Sequence, residues 1–514
     1  MRKIMLFVFL LICAMIFGAR LMPSNLEYMG AFRLPDGEPF EENWYWGGRA
    51  LCYFPDGDPS GDSDGHPGSL FGVGHAWNNY VAEINIPEPF DSPAKDVTDL
   101  ATAEFLQPFT NIRGSMFDGV FDASCERHGL AYLPPMGDQA TGKLYACFGE
   151  HYQYTPFISH MWCETDLSDT DRSGAWFFGE YPNFATNDYM CEIPSDWADE
   201  HVSGYRLASG RFRDGGLGGR GPALFAAAPW LDGNPPPAGD SLEHITPLLL
   251  YDDWEVTEEP DTLIDYKNVD EWEGVSWIAA GDTQAVIFIG TKGFGDCWYG
   301  FSDGTLWPND SDYIPPYPHD DRGWWADSLF AVFYFYDPDD FAAVAAGTME
   351  PGEPQPYATM RVVDYLYNVD WHQQKYQLGA CAYDPERRFF YVFEYLADED
   401  KPLCHVWHIQ TGETSVSEME DYCSPKYLNI KAYPNPFNSS ISIEIPKDAD
   451  KIEIYDISSS LVFSKTLESG SSSRNSQKES FHWQPKSDIE SGIYIIKAIY
   501  PDKNTTNNRI VYIK

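Results

Sequence analysis

Basic residues are scarce: the 514-residue chain carries 34 Lys and Arg against 79 Asp and Glu, a formal charge of −45. The deficit is local. Residues 427–514 hold 11 basic and 10 acidic side chains, leaving 23 basic against 69 acidic residues upstream. So acidic a surface repels phosphate backbones and anionic headgroups, which excludes nucleic acid as a partner and leaves cations and neutral ligands. Long apolar runs are missing beyond the first twenty residues, so no transmembrane segment is expected in the mature protein. Cys-x-x-Cys is absent, and the irregular spacing of the ten cysteines offers no zinc site. Nine cysteines follow the N-terminal apolar run, an odd number, so at least one thiol has no partner within the chain. Helical periodicity is nearly absent too, which argues against bundles and doubly wound α/β folds.

What is present begins with a leader. Arg2 and Lys3 precede the apolar run from Ile4 to Phe17, too short to span a bilayer and shaped like a secretory signal. Residues 1–19 are therefore read as a signal peptide handled by the Sec machinery, although cleavage after Ala19 places the bulky Phe17 at −3. With 43% hydrophobic and 16% aromatic residues, the rest has ample material for two or three packed domains.

Residues 26–420 contain a weak repeat. Leu51-Cys52-Tyr53-Phe54-Pro55, Leu130-Ala131-Tyr132-Leu133-Pro134 and Cys381-Ala382-Tyr383-Asp384-Pro385 each end a strand in a turn. Second strands follow at 70–73, 144–147 and 390–393, and third strands at 80–86, 160–167 and 404–409. Two further units keep the order without Tyr-x-Pro: 223–228 then 245–251, and 275–279, 286–289 then 330–336. The expectation is an all-β fold: a propeller-like body of about five decorated blades, because radial repetition protects sheet edges. Residues 26–34 would complete the last blade. A β-sandwich with long insertions is the competing architecture. Gly47-Gly48-Arg49-Ala50, Gly74-His75 and the run from Lys401 to Trp407 resemble a group of uncharacterised secreted bacterial propeller-like proteins, a likeness that supports the fold and implies no activity.

If the second strands are equivalent, their ends share one rim, carrying His75, Glu150 with His151, Trp230, Lys292 and Glu394. Glu150 and Glu394 are the candidate acid–base pair for a glycosidic bond. His75, His151 and Lys292 would assist or bind, and Trp230 would stack on a sugar. Strand ends are also polar simply because they meet water. Asp56, Asp58, Asp62 and Asp64 alternate in a glycine-containing loop that suits Ca2+, or that is merely a solvated acidic turn. The aromatic stretch 296–327 reads as a long functional loop. Cys147 and Cys163 lie on neighbouring predicted strands, where a disulfide requires Cα atoms within about 7 Å.

After a short linker at 421–426, residues 427–514 alternate apolar and polar side chains in short segments, as at Ile441–Ile445, Lys451–Tyr455 and Ile493–Ile499. A C-terminal Ig-like β-sandwich is the expected packing. Tyr433-Pro434-Asn435-Pro436-Phe437-Asn438, Lys451-Ile452-Glu453-Ile454-Tyr455-Asp456 and Ser491-Gly492-Ile493-Tyr494, with a terminal strand reaching Lys514, resemble the type A sorting domain of the type IX (Por) secretion system. That resemblance implies recognition by the type IX translocon after Sec export. It also implies a location outside the cell or on its outer surface, with recognition resting on Pro434, Asn435, Pro436, Gly492 and Lys514. The cargo is then expected to bind an extracellular glycan or protein ligand. Hydrolase or lyase chemistry on carbohydrate by rim carboxylates is the alternative, and the sequence does not decide whether the body is an enzyme.

Overall fold

The computed structural model describes residues 19–37, 42–58, 61, 66–120, 127–150, 153–211, 219–231, 236–253, 255–256, 260–309, 312–368 and 377–411. Towards the C-terminus it describes 431–433, 437, 439–446, 451–456, 461–466, 478–486, 489, 492–499, 505–512 and 514. The chain divides into two compact units, Met1–Glu418 and Met419–Lys514. The expected signal through residue 18, the linker 421–426 and Asp62, Asp64, His151, Pro434, Asn435 and Pro436 lie outside the described residues.

Among its described residues the first unit is all-β apart from short helical turns and two helices, Ser195–His201 and Pro338–Ala345. Five antiparallel sheets follow one another along the chain, each a meander of four principal strands. Sheet one comprises Leu51–Phe54, Ser69–Val73, Val81–Ile84 and Phe105–Thr110. Sheet two comprises Arg127–Leu133, Lys143–Gly149, His160–Cys163 and Arg172–Phe178, with Ser241–Leu242 added in parallel at its edge. Sheet three is Tyr189–Glu192, Leu207–Arg211, Ala223–Ala227 and Ile245–Leu250. Sheet four is Glu271–Ala280, Thr283–Gly300, Gly323–Tyr336 and Ala358–Arg361, joined by Ala19–Arg20 alongside Thr283 and Gln284. In sheet five, Leu378–Asp384, Phe389–Asp398 and Lys401–Ile409 are completed by Leu26–Arg33 from the other end of the unit. The first strand of each sheet packs beside the first strand of the next, and that of sheet five packs beside that of sheet one.

The strand sequences explain this packing. A strand sends successive side chains to opposite faces, so a strand apolar at every position must be covered on both. In Lys143–Gly149, Leu144, Ala146 and Phe148 join a core shared with sheet one, whereas Tyr145 and Cys147 join a core shared with sheet three. Val286 and Phe288 likewise pack towards sheet three, and Ile287 and Ile289 towards sheet five. Tyr391 and Phe393 face sheet one, and Phe390 and Val392 face sheet four. Trp44, Trp176, Trp272 and Trp407 are fully buried and supply the wide apolar contacts between layers. Leu26–Arg33 is fixed by a close approach at Gly30, whose φ is +117°. A Cβ there would lie 2.2 Å from the carbonyl carbon of Phe90, while the neighbouring Ala31 N–H bonds the Phe90 carbonyl at 3.1 Å. Glycine alone accommodates both the backbone angle and the contact.

Three sequence expectations change. Residues 223–228 and 245–251 are the third and fourth strands of their sheet rather than the second and third, because Tyr189–Glu192 and Leu207–Arg211 precede them around the helix Ser195–His201. The stretch 296–327 is loop only in its middle. Thr283–Gly300 and Gly323–Tyr336 stay paired out to Gly300 and Gly323, well beyond the start of the first strand. Cys147 pairs with His160, and Cys163 with Leu144, so the two thiols face different cores and form no disulfide with each other.

The second unit contains a three-stranded sheet, Lys431–Tyr433, Ile441–Pro446 and Lys478–Trp483. Its other sheet has four strands in the order Leu461–Thr466, Lys451–Asp456, Gly492–Ile499, Thr505–Tyr512. Ile441 and Ile443 from one sheet share a core with Ile452, Ile454, Ile496 and Ala498 from the other, which is what the period-2 alternation requires.

One buried polar contact between sheets makes the body acid-sensitive. The His160 ring on sheet two contacts Ser159 Oγ at 2.8 Å and Ser209 Oγ of sheet three at 3.0 Å. Burial pushes its pKa down to about 3. The unfolded imidazole titrates at about 6.5, so between those values the unfolded chain binds a proton that the fold excludes. Stability therefore falls as pH drops from about 6.5 towards 3. His160→Gln should show a shallower loss of urea midpoint between pH 7 and pH 4 than the wild type; parallel curves would contradict this role.

Candidate functional site

Pairing fixes which ends of the strands lie together. Leu51 pairs with Gly72, Arg127 with Gly149, Tyr189 with Gly210, Glu271 with Thr291 and Leu378 with Glu394. In every sheet the end of the second strand, or its corresponding level, lies beside the start of the first. His75, Glu150, Lys292 and Glu394 all occur at that level, and Arg211 takes the equivalent place in sheet three. Trp230 does not. It follows the third strand, beyond Ala227, which pairs with Leu207 at the opposite end of the sheet, and it is buried against Tyr145 and Gly137.

The individual environments differ sharply. Glu394 is fully buried. One of its oxygens lies 2.8 Å from His405 Nε2, and its carboxylate accepts the Tyr367 and Asn368 backbone N–H groups at 2.7–2.9 Å. His405 Nδ1 in turn lies 2.8 Å from the Tyr28 hydroxyl. This carboxylate ties the 363–368 segment to sheet five. Lys292 bonds Asp270 at 2.8 Å and the Asp265 carbonyl at 2.5 Å. Burial raises the Asp270 carboxyl and Lys292 opposes that shift. Arg211 is fully buried with its fork on the Gly221 carbonyl, and burial pushes its pKa down to about 10. Glu150 is half-buried, its backbone N–H held by Gln153.

His75 is buried, but exposed aromatic rings flank it. Its ring lies between Trp46 and Trp77, with centroids 5.4 and 5.5 Å away, and its Nδ1 accepts the Trp77 N–H at 3.2 Å. Trp46 is 47% exposed and Trp77 71%, so two flat indoles face solvent there. Three residues after Trp46 stands Arg49, whose Nη1 lies 3.7 Å from Glu273 Oε2 and whose guanidinium lies 5.3 Å from the Tyr395 ring centroid. Arg49 leads into sheet one and Glu273 belongs to sheet four, so the pair reaches past the first strand of sheet five. Glu273 is the extra residue of a β-bulge: Trp272 pairs with Gly290 and Gly274 with Ile289. A bulge redirects a side chain without breaking the strand. His128, Asp188, Glu271 and Gln377 are buried polar groups at or next to the starts of the other first strands. Sequence reasoning missed this set, although each member stands within a few residues of the start of a first strand.

Asp56 is exposed and Asp58 buried. Among the described residues no group of three or more His, Cys, Asp or Glu gathers as a metal site. In the second unit Gly492 opens a strand opposite Tyr512, and Lys514 is exposed. No helix among the described residues is long and apolar enough to cross a membrane.

Comparison with known proteins identifies the tail. The family described as the secretion system C-terminal sorting domain matches residues 431–514. The chain thus carries a sorting domain of the type IX system, which directs export to the cell surface or beyond. No curated protein matches. Among solved structures, the crystal structure of dimeric latent PorU from Porphyromonas gingivalis aligns over 58% of this chain and 32% of that one. The identity is 12% and the TM-score 0.14, too low to carry an argument about the body.

The buried role of Glu394 predicts its mutational signature. Glu394→Ala leaves a buried imidazole and two amides without their acceptor and should lower stability by about 3 kcal/mol or more, and Glu394→Gln by less. Chemical denaturation measures both; unchanged midpoints would refute the brace.

Proposed function

We propose that the protein is a type IX cargo whose first unit is a propeller of five decorated blades and whose tail is an Ig-like sandwich, exported through Sec and then the type IX translocon. The body binds an extracellular glycan or protein ligand on the face where the first strands begin. Five four-stranded meanders in a cycle of first-strand contacts support the propeller reading, together with the completion of sheet five by Leu26–Arg33. The observation that carries the binding reading is the Arg49–Glu273 pair, three residues along the chain from Trp46, together with the exposed indoles of Trp46 and Trp77 about His75. A guanidinium and a carboxylate supply directional bonds to hydroxyl or amide groups, and flat aromatic faces supply the apolar contact that sugar rings and side chains share.

A second reading, hydrolysis or lysis of carbohydrate, has one specific observation in its favour. Asp188, Glu271 and Glu273 are buried carboxylates at the starts of first strands, where an acid and a base are wanted. The Asp56–Asp64 loop is proposed to hold Ca2+ through Asp56, Asp58, Asp62 and Asp64.

Two experiments test this. Full-length protein on a glycan array, with and without calcium, should bind a defined subset. Trp77→Ala should weaken that binding about tenfold or more, and Glu273→Gln comparably; product release abolished by Glu273→Gln would select the hydrolase. Binding indifferent to both variants would reject the site. Deletion of residues 427–514 should leave the body behind the outer membrane, whereas the full chain reaches the surface or medium, as read by immunoblotting fractions from a type IX-competent host. Export of the truncated chain would reject the sorting role.

A further inference from the structure

A cleft enclosing about 800 Å³ lies at the outer edge of sheet two, between the 111–116 segment and the strand Arg172–Phe178. Its lining includes two arginines, Arg113 and Arg172, and no Asp or Glu among the described residues. That is unexpected where acidic residues outnumber basic ones threefold. Asp171, adjacent in the chain, is exposed and does not line the cleft.

Among the described residues no carboxylate holds either arginine. Arg172 donates from Nη1 to the carbonyls of Asn111 and Ile112 at 3.3 and 2.8 Å, and from Nε to the Thr170 carbonyl at 3.1 Å. Arg113 donates from Nη2 to the Asn78 carbonyl at 2.8 Å, with its plane near the Phe148 ring. Neutral acceptors orient the two forks without cancelling their charge, and the Nη2 hydrogens of Arg172 take no part in these bonds. A glycine makes the arrangement feasible: Gly114 has φ of +55°, and a Cβ there would come within 2.7 Å of Arg172 Nη1. Ser115, Thr170 and Ser173 add hydroxyl groups to the lining.

We propose that this cleft binds a small sugar bearing one oxyanion, a carboxylate or a sulfate. A guanidinium fork oriented by neutral acceptors matches the planar or trigonal oxygens of such a group. The volume lies within the range of small-molecule sites. The negative field of the body opposes a polyanion, so the charge must come singly on a neutral scaffold. The cleft and its ligand are independent of the Arg49–Glu273 site.

Calorimetric titration of the full-length protein with galacturonate, galactose 6-sulfate and galactose provides the test. At least one charged sugar should bind at least tenfold more tightly than galactose, more weakly as NaCl rises, and the comparison of the two distinguishes carboxylate from sulfate. Arg113→Gln should weaken binding at least tenfold. Ser115→Asp places a carboxylate at an exposed lining position without touching the arginine contacts and should do the same, which keeps the test valid if the arginine variant unfolds. Persistence of the effect in Trp77→Ala separates this cleft from the other site. Equal affinity for galactose, silence towards all three sugars, or an unaltered Ser115→Asp protein would overturn the proposal.

Discussion

Every principal sheet of the first unit is buried on both faces, and the rest of that unit depends on this constraint. A strand covered on both sides cannot use polar residues for solubility, so polarity is displaced to turns and strand ends. The five apolar cores between successive sheets are the complement of that displacement. The same constraint explains the many tryptophans, phenylalanines and tyrosines: sheets pack about 10 Å apart, and wide rings fill that space with few rotatable bonds. Charge is then concentrated where strands begin and end. The net charge of the chain therefore reflects its loops far more than its cores.

Several elements were legible because their signal is local. The Tyr-x-Pro turns mark the first strands of sheets one, two and five, and the alternation of Lys451–Asp456 and Gly492–Ile499 marks the half-buried strands of the tail. The sorting motif is a matter of residue identity. Sheet three was misread because its first two strands are four and five residues long, separated by a helix, and contain Gly210, Ser209 and Glu192, which weaken an apolar run. Trp230 fell on the wrong end of its sheet as a direct result.

The candidate site was less legible for a different reason. Periodicity tells which face of a strand a residue occupies, but when both faces are buried it does not say whether a carboxylate meets solvent or a hidden partner. Glu394 and Glu150 look alike in sequence, yet His405 and two amides surround only the former. The Arg49–Glu273 pair joins residues more than two hundred positions apart through a bulge, and nothing in the local pattern announces a bulge. The charge anomaly of the Arg113–Arg172 cleft likewise exists only in three dimensions.

The strand Leu26–Arg33 is made early by the ribosome, but its partner, Lys401–Ile409, is among the last segments of the body to appear. Until then an early strand has an open hydrogen-bonding edge, and closing so long a stretch of chain is intrinsically slow. The body therefore has a built-in order of assembly: its last sheet can be completed only when synthesis has reached the threshold of the sorting tail. An incompletely made chain thus lacks both a closed fold and its address, and the two are acquired almost together.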